Sequence, residues 1–339
     1  MQREIIQITK LLNSDGSVSD PGYCKRNLYE YNRENITAPK LRIKEWDFYQ
    51  VSDGEYMVQV NFANISIGAA GTVGIVNLKT GEKWDGIGLA IGTVNRYQME
   101  RNGDQPYEFR FSKGDFSMEI LVTETTRTLI AKCKDIDVKL VGEMLPNHES
   151  ITIATPFDAP SNNRFFLTQK LNCMPTSGYA KVGDKVIEFT PDTAYMVMDW
   201  GRGVWPYRNT WYWGNGSTRL PDGKLFGFEI TWGFGNQDSA TETMLFYDGK
   251  AHKIGEVYLE TDPEIGGKWM DKWAFKSKDG RFNLTMTPYF DHESGAIVVI
   301  GMKTHQVHGL WNGTVTLDDG TILEIKDMYA FCEKVHNAW

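Results

Sequence analysis

Residues 195–217 read YMVMDWGRGVWPYRNTWYWGNGS, and this segment is the strongest indication of the fold. It contains four tryptophans, three tyrosines, four glycines and one proline. Because glycine and proline interrupt helices and aromatic residues are mediocre helix formers, the segment predicts a strand, a sharp corner and a second strand. Two-residue alternation places Tyr195 and Asp199 on one face of the first strand, and Trp211 and Trp213 on one face of the second. Rings and one carboxylate are therefore expected to point into a shared space.

The rest of the chain alternates short β-type runs with turn signals such as Asp-Gly, Asn-Gly and Lys-Gly. This spacing predicts hairpins of an antiparallel sheet. A parallel sheet is not expected, because strands and helices do not alternate along the chain. The only helical candidate is a short one, in which Ile5, Ile8 and Leu12 would share a face. The predicted strands are Tyr56–Phe62, Thr72–Leu78, Tyr107–Phe111, Phe116–Val122, Thr128–Cys133, Phe165–Leu171, Leu225–Thr231, Arg281–Tyr289, Ala296–Met302 and Gly313–Leu317.

A weak internal repeat divides this β-rich chain. Residues 178–199 and 313–333 share one pattern of strand, turn and strand, followed by a tyrosine, three residues and an acid. The repeat predicts two related β-domains joined near Pro206, and ligand pockets often form where domains meet. The corresponding residues are Tyr195 and Tyr329, Asp199 and Glu333, and the segments Trp46-Asp47-Phe48 and Trp211-Tyr212-Trp213.

Composition limits the possible partners. The chain has 339 residues with 36 basic and 44 acidic side chains, so its net charge is −8. Its length favours two domains. The absence of clustered Lys and Arg argues against nucleic acid or an anionic membrane as a partner. Since the first ten residues include no apolar run and Ala296–Met302 is too short to span a bilayer, we expect a cytoplasmic protein without membrane insertion.

Cysteine and histidine spacing gives no metal signature. The four cysteines are far apart and are predicted to be free thiols, and no metal or other cofactor is expected. His305 and His308 should face opposite sides of a strand. His292 lies in an Asp-His-Glu sequence that is predicted to be a solvated turn.

The aromatic segment also resembles known proteins. Tyr195, residues 199–203 (DWGRG), Pro206 and residues 211–213 (WYW) are similar to the Tyr-x3-Asn-Trp-Gly-x-Gly…Pro…Trp-x-Trp run of plant tocopherol cyclases. The segment resembles more loosely the Trp-Gly-bearing segment of carotenoid hydratases and lipocalin-like Diels-Alderases. With residues 11–36 (LLNSDGSVSDPGYCKRNLYEYNRENI) and 44–49 (KEWDFY), the chain resembles, over nearly its whole length, a bacterial family known as domain of unknown function 2804.

This resemblance implies an all-β fold of two lipocalin-like (calycin-like) antiparallel β-barrels packed side by side, with few short helices and an aromatic-lined cavity near their junction. The expected organisation is an N-terminal extension packed on the barrels (1–40), a first β-domain (41–205) and a second β-domain (206–339). Two departures are visible. Asp199 stands where tocopherol cyclases have Asn, and Val197 and Met198 stand where carotenoid hydratases carry an Asp-His pair, which argues against the same hydration chemistry.

Three functional classes agree with these observations. The chain could bind an apolar isoprenoid, lipid or polyketide-like molecule, or act on such a molecule without a cofactor by cyclisation, hydration or isomerisation. The alternative is carbohydrate binding or glycoside cleavage by the pair Asp199 and Glu333. These two acids are the predicted catalytic residues, and burial in an aromatic pocket would raise the pKa of an acid. The predicted ligand-binding residues are Arg202, Trp205, Tyr207, Trp211, Trp213, Tyr195 and Tyr329.

Structural roles are the competing interpretation of the same residues. Asp199 and Glu333 could pair with Arg202, Arg208 or Lys334 across the junction, and any single tryptophan could fill a core. Gly201 and Gly203 are expected to adopt turn conformations with positive φ.

Overall fold

The computed structural model describes residues 2–158, 162–297 and 301–338. Within these ranges the only helices are two three-residue 3-10 helices, Arg33–Asn35 and Lys40–Arg42. The predicted all-β class with few short helices is confirmed. The predicted N-terminal helix is wrong: Thr9–Lys10 is a short strand, and Ile8 is exposed to solvent.

Among the described residues, fifteen strands, β1 to β15, lie between residues 9 and 204. They are β1 Thr9–Lys10, β2 Gly22–Cys24, β3 Tyr29–Glu30, β4 Lys44–Ser52, β5 Tyr56–Asn64, β6 Gly68–Asn77, β7 Lys83–Ile91, β8 Tyr107–Lys113, β9 Phe116–Val122, β10 Thr126–Cys133, β11 Ile136–Glu143, β12 Ile151–Pro156, β13 Phe165–Val182, β14 Lys185–Phe189 and β15 Tyr195–Val204. Strands β1 and β3 form a small parallel pair. The others form sheet 1, in the order β7-β6-β5-β4-β15-β13-β11-β10-β9-β8, with β12 and β14 also paired to β13 and β2 paired to β12.

Nine strands, β16 to β24, form sheet 2. They are β16 Arg208–Arg219, β17 Leu225–Trp232, β18 Met244–Tyr247, β19 Lys250–Lys253, β20 Val257–Leu259, β21 Trp273–Ser277, β22 Phe282–Ile297, β23 Gly301–Thr316 and β24 Ile322–Ala338. Their order is β19-β18-β17-β16-β24-β23-β22-β21-β20. Part of the predicted strand Ala296–Met302 lies outside the described residues.

Each sheet curls around its own apolar core. In sheet 1, Gly71 and Gly88 of β6 and β7 pack on Phe111 and Phe116 of β8 and β9, so opposite ends of the sheet meet across the core. Met196, Met198 and Trp200 point into this core, whereas Met328, Ala330 and Cys332 point into the core of sheet 2. Two antiparallel, barrel-like sheets side by side are therefore confirmed.

Because side chains alternate along a strand, the residues of β15 and β24 that do not point into the cores face the neighbouring sheet. Asp199 of β15 and Glu333 of β24 both lie on these outer faces. The chain passes from sheet 1 to sheet 2 between Val204 and Arg208, which is the predicted corner. The division into domains 41–205 and 206–339 stays a prediction about folding units. In the segment before residue 41, β2 pairs with β12, and Gln2 donates a hydrogen bond to the backbone carbonyl of Gln237.

The cysteines and the predicted lack of membrane insertion concern the whole chain. All four cysteines are free and buried. Among the described residues, no helix has the length and apolar character needed to cross a membrane. The cytoplasmic location stays a prediction.

The two glycines of the DWGRG segment do not adopt turn conformations, so that prediction is wrong. Gly201 and Gly203 lie inside β15, and neither has a positive φ. A Cβ atom at Gly201 would lie 1.9 Å from the Trp46 ring, and one at Gly203 would lie 2.5 Å from the Phe165 carbonyl oxygen. Glycine is needed here because the Trp46 ring lies directly against the β15 backbone.

We expect Gly201→Ala to lower the free energy of unfolding by about 3 kcal/mol, since the added methyl group must displace an indole ring in a packed wall. Chemical denaturation monitored by tryptophan fluorescence would measure this loss. Gly74→Ala in β6 is the control, because its nearest neighbour would be the mobile Asp85 carboxylate at 3.1 Å. Equal stability of the two variants would contradict the steric role of Gly201.

Candidate functional site

A cavity of about 310 Å³, here called the inter-sheet cavity, lies between the outer faces of the two sheets. Strands β4, β5, β13 and β15 form one wall, and β16, β17, β22, β23 and β24 contribute to the other. Its lining is rich in aromatic rings, and several of these rings contact one another edge to face. The aromatic lining residues are Trp46, Phe48, Phe166, Trp205, Trp211, Trp213, Phe234 and His292.

Five of the nine predicted site residues line this cavity. They are Asp199, Glu333, Trp205, Trp211 and Trp213. The roles assigned to them stay predictions.

Three predicted tyrosines lie away from the inter-sheet cavity. Tyr195 and Tyr329 line a separate small pocket of about 20 Å³. The Tyr195 hydroxyl donates to the Asp192 carbonyl, and the Tyr329 hydroxyl is 2.8 Å from His308 Nδ1. Tyr207 is partly exposed at the corner between the sheets. Their positions suit local structural roles better than ligand contact.

Arg202 lies on the opposite side of β15 from Asp199. Its guanidinium is completely buried inside sheet 1, 2.9 Å from the Asp47 carboxylate, and donates to the carbonyls of Trp46 and Glu100. It also stacks over Trp200 at 4.0 Å. Arg202 therefore ties β4 to β15 from within the core and does not face the cavity.

The two acids occupy equivalent positions in the two sheets. Asp199 is paired across the strands with Phe48 of β4 and Lys170 of β13. Glu333 is paired with Trp213 of β16 and Gln306 of β23. The rings of Phe48 and Trp213 meet at 5.8 Å in the space between the sheets. Each acid thus has an aromatic neighbour on one side and a nitrogen donor on the other, which agrees with the repeat.

The two nitrogen donors differ in charge. Lys170 Nζ is 2.8 Å from Asp199 Oδ2, whereas Gln306 Nε2 donates to Glu333 Oε2 at 3.1 Å. Burial raises the pKa of Glu333 to about 7, and the Gln306 hydrogen bond and the more distant Lys170 only partly oppose this rise. Glu333 consequently gains or loses its proton near neutral pH, while Asp199 is held in an ion pair.

Two further acids, Glu229 and Glu242, surround Lys170. Burial raises the pKa of both above the ordinary value. Glu229 accepts a hydrogen bond from Trp213 Nε1 at 2.7 Å, and another from Asn215. Glu242 Oε1 is 4.0 Å from Lys170 Nζ, and the side chains of Thr231 and Thr168 also favour its charged form.

Lys170 is the cation of this acid cluster. Its ammonium also lies 4.0 Å from the centre of the Trp213 ring, so it joins side chains of both sheets. Burial alone would lower the pKa of Lys170, but Asp199, Glu242 and Glu229 outweigh burial and raise it. The cluster therefore combines one buried positive charge with four carboxyl groups, some of which retain protons.

The sequence interpretation missed Lys170, Glu229, Glu242 and Gln306. Lys170 is the one charged residue of the predicted strand FFLTQKL, and Glu229 is the one charged residue of LFGFEITW, so a lone charge in a strand was an available signal. His292 was also misplaced: it lies within β22, lines the cavity, and burial lowers its pKa to about 4. Among the described residues, no group of three or more His, Cys, Asp or Glu side chains is arranged to hold a metal ion.

Comparison with known proteins identifies the family, whose model matches residues 2–339. The chain belongs to the family described as domain of unknown function (DUF2804). No curated protein matches the sequence significantly. Among solved structures, kievitone hydratase from Nectria haematococca is similar with 9% identity, 98% coverage of both chains and a TM-score of 0.47. An AttH-like protein from Nitrosomonas europaea is similar with 12% identity, coverage of 91% of this chain and 96% of that chain, and a TM-score of 0.48.

The raised pKa of Glu333 predicts a specific pH dependence of stability. In the folded state Glu333 keeps its proton up to about pH 7, against an ordinary value of 4.5 in the unfolded chain. Its contribution to stability is therefore complete below pH 4.5 and is lost as the pH rises to about 7. We expect the unfolding free energy of the wild type, relative to Glu333→Gln, to fall by about 3 kcal/mol across this range. Urea denaturation of both proteins at several pH values measures this difference. If the unfolding free energies of the two proteins had the same pH dependence, the prediction would be contradicted.

Lys170→Met should destabilise the protein by about 3–5 kcal/mol at neutral pH, because it leaves buried carboxylates without their cation. The loss should shrink in acid, where protonation neutralises those carboxylates. Thermal and urea denaturation would measure both effects. Lys250→Met, which removes an exposed lysine paired with Glu149, is the matched control and should change stability by less than about 1 kcal/mol. A similarly small effect of Lys170→Met at both pH values would exclude the central role of this ion pair.

Proposed function

We propose that the inter-sheet cavity binds a compact, mostly apolar small molecule of isoprenoid, lipid or polyketide type. We further propose that the protein converts it without a cofactor by acid-base cyclisation, isomerisation or hydration. The observation that carries this proposal is the position of Asp199 and Glu333, which present two carboxyl groups from equivalent strands to one aromatic-lined cavity. Its volume of about 310 Å³ is at the lower end of the range for ligand pockets, about 300–1,000 Å³, which favours a compact ligand.

Glu333 is the general acid in this proposal. An efficient acid-base catalyst has a pKa near the working pH, and burial brings the pKa of Glu333 to about 7. In its neutral form it can protonate an alkene or a carbonyl oxygen of a ligand in the cavity. The carboxylate left behind can then accept a proton from a neighbouring carbon, which would complete an isomerisation without any other reagent.

The Asp199–Lys170 pair and the tryptophans provide the electrostatic environment. Positive charge that develops on a ligand is stabilised by a nearby carboxylate and by any Trp face that Lys170 and Phe166 leave free. Lys170 Nζ lies 2.8 Å from Asp199 Oδ2, so the two equivalent acids are assigned different roles: Glu333 supplies a proton, and Asp199 forms an ion pair within the cavity wall. Two carboxyl groups with different environments are a recurring basis for assigning acid and charge-stabilising roles.

Carbohydrate cleavage is supported less well by the same geometry. Sugar binding uses free aromatic faces, but Lys170 covers a face of Trp213 and Phe166 stacks on Trp46 at 5.9 Å. Asp199 is already engaged with Lys170 and with the Thr168 hydroxyl. Identification of the retained molecule by native mass spectrometry, described next, distinguishes a carbohydrate ligand from an apolar one.

Native mass spectrometry of the protein purified from its own host, followed by extraction and identification of the retained molecule, tests the proposal. We expect an apolar molecule at near-stoichiometric occupancy. Ala63→Phe should prevent binding, because Ala63 lines the cavity and the larger ring fills it. Glu333→Gln should retain the ligand and lose about 100-fold to 10,000-fold in turnover of that molecule.

The two variants separate binding from chemistry. A retained glycan would favour the carbohydrate alternative. Unchanged ligand retention by folded Ala63→Phe would contradict binding in this cavity, and unchanged turnover by Glu333→Gln would contradict the catalytic role of Glu333.

A further inference from the structure

A second cavity lies at one end of sheet 1, beneath the N-terminal segment. This end cavity has a volume of about 810 Å³ and shares no lining residue with the inter-sheet cavity. Residues 26–31 of the N-terminal segment, the loop 101–105, Arg127 of β10 and the loop 144–148 contribute to its walls. Its mouth carries exposed side chains such as Ile8 and Arg101, so small molecules can enter from solvent.

The deepest charged group in this cavity is the Arg127 guanidinium. Arg127 is 1% exposed, and it lies on the same face of β10 as Leu129 and Ala131, which belong to the core of sheet 1. Among the described residues, Nε and Nη1 of Arg127 have no hydrogen-bond partner, and no carboxylate forms an ion pair with this side chain. A buried, unpaired guanidinium costs several kcal/mol, so an anionic partner would relieve a large desolvation penalty.

Other buried donors line the cavity with Arg127. Asn27 is 5% exposed and neither polar atom of its side chain has a hydrogen-bond partner in the described part of the chain. Its side chain is nevertheless well positioned, because the Asn27 backbone N–H donates to Asp104 and its carbonyl accepts from Asn102. Because the backbone of Asn27 is already fixed, its side-chain N–H₂ group can donate to a ligand without a further loss of backbone conformational entropy.

His148 adds a third donor. Its Nδ1 accepts the Leu145 backbone N–H at 3.2 Å, which leaves the ring proton on Nε2. Burial lowers the pKa of His148 to about 4, a backbone hydrogen bond with Asn172 opposes this shift, and the charge of Arg127 adds a smaller lowering effect. His148 is therefore a neutral donor, and Arg127 is the positive charge of the set.

Among the described residues, Asp104, a partly buried acid in the lining, forms no ion pair with Arg127. Its Oδ2 accepts the Asn27 backbone N–H at 2.8 Å, and its Oδ1 accepts Gln169 Nε2 at 2.6 Å. The other lining acids, Glu30 and Glu124, are exposed at the mouth. Leu28, Tyr29, Tyr31 and Met144 supply apolar surface beside the donors.

We propose that the end cavity is a binding site for a small organic anion. A carboxylate or phosphate group would accept hydrogen bonds from Arg127, Asn27 and His148, and the apolar surface would hold the organic body. Arginine suits either group because its planar N–H donors match both oxyanions. This site is separate from the acid-base chemistry proposed for the inter-sheet cavity and does not depend on it.

Isothermal titration calorimetry and thermal unfolding with benzoate, phenyl phosphate and inorganic phosphate test the proposal, with benzamide as the neutral analogue of benzoate. We expect benzoate or phenyl phosphate to bind and to raise the melting temperature, and benzamide to bind at least tenfold more weakly. Inorganic phosphate tests whether the site prefers a bare oxyanion. If inorganic phosphate binds and neither benzoate nor phenyl phosphate does, the assignment of an organic ligand is overturned.

Arg127→Met should weaken anion binding by about 10-fold to 100-fold, the range expected for a charged hydrogen-bond donor. Without ligand this variant should be as stable as the wild type or more stable, because a buried charge has been removed. Arg110→Met removes an equal charge from the exposed surface of β8, outside the cavity lining, and should change affinity by less than threefold. Asn27→Leu tests a second donor and should weaken binding by several-fold.

Two results would overturn the proposal. One is the absence of binding by any anionic probe to the wild type. The other is undiminished binding by folded Arg127→Met. If Arg127→Met does not fold, a normal affinity of Asn27→Leu would equally exclude the site.

Discussion

The buried ammonium of Lys170 is the interaction on which the arrangement between the two sheets depends. It lies on the outer face of sheet 1, where it pairs with Asp199, and it reaches Glu242 and the Trp213 ring on the side of sheet 2. Each ionised carboxyl group in this space raises the cost of ionising the next, and the ammonium of Lys170 offsets part of that cost. One positive charge therefore makes an acid-rich, aromatic-lined interface between two β-sheets compatible with folding.

The internal repeat explains how such an interface arises. Asp199 and Glu333 come from equivalent strands, and each faces an aromatic ring on one neighbouring strand and a nitrogen donor on the other. A symmetric pair would titrate alike. Lys170 in one half and Gln306 in the other break the symmetry, so that one acid is ion-paired and the other retains its proton to about pH 7.

Local sequence patterns predicted much of the fold. Turn dipeptides and two-residue alternation gave the antiparallel strands, and the Tyr-x3-acid repeat selected Asp199 and Glu333. The same alternation would have excluded Arg202, which is three residues from Asp199 and therefore faces the core. The prediction failed there because proximity in sequence was given more weight than strand geometry.

The other omissions have a common physical cause, which is strand register. Lys170 and Gln306 become neighbours of the two acids only through pairing between strands, and nothing in a single sequence fixes that register. The role of Gly201 was missed for the same reason. Glycine is required at this position because the ring of Trp46, which is distant in the chain, packs against it. His292 was misplaced because β22 continues to Ile297, beyond the predicted end of the strand at Tyr289.

The protonated carboxyl group of Glu333 beside the Asp199–Lys170 ion pair is the central claim, and neutron diffraction from deuterium-exchanged crystals at about pH 5.5, below the pKa of about 7 for Glu333, tests it directly. We expect a deuteron on the Glu333 carboxyl group and three on Lys170 Nζ. A bare Glu333 carboxylate at this pH would contradict the claim.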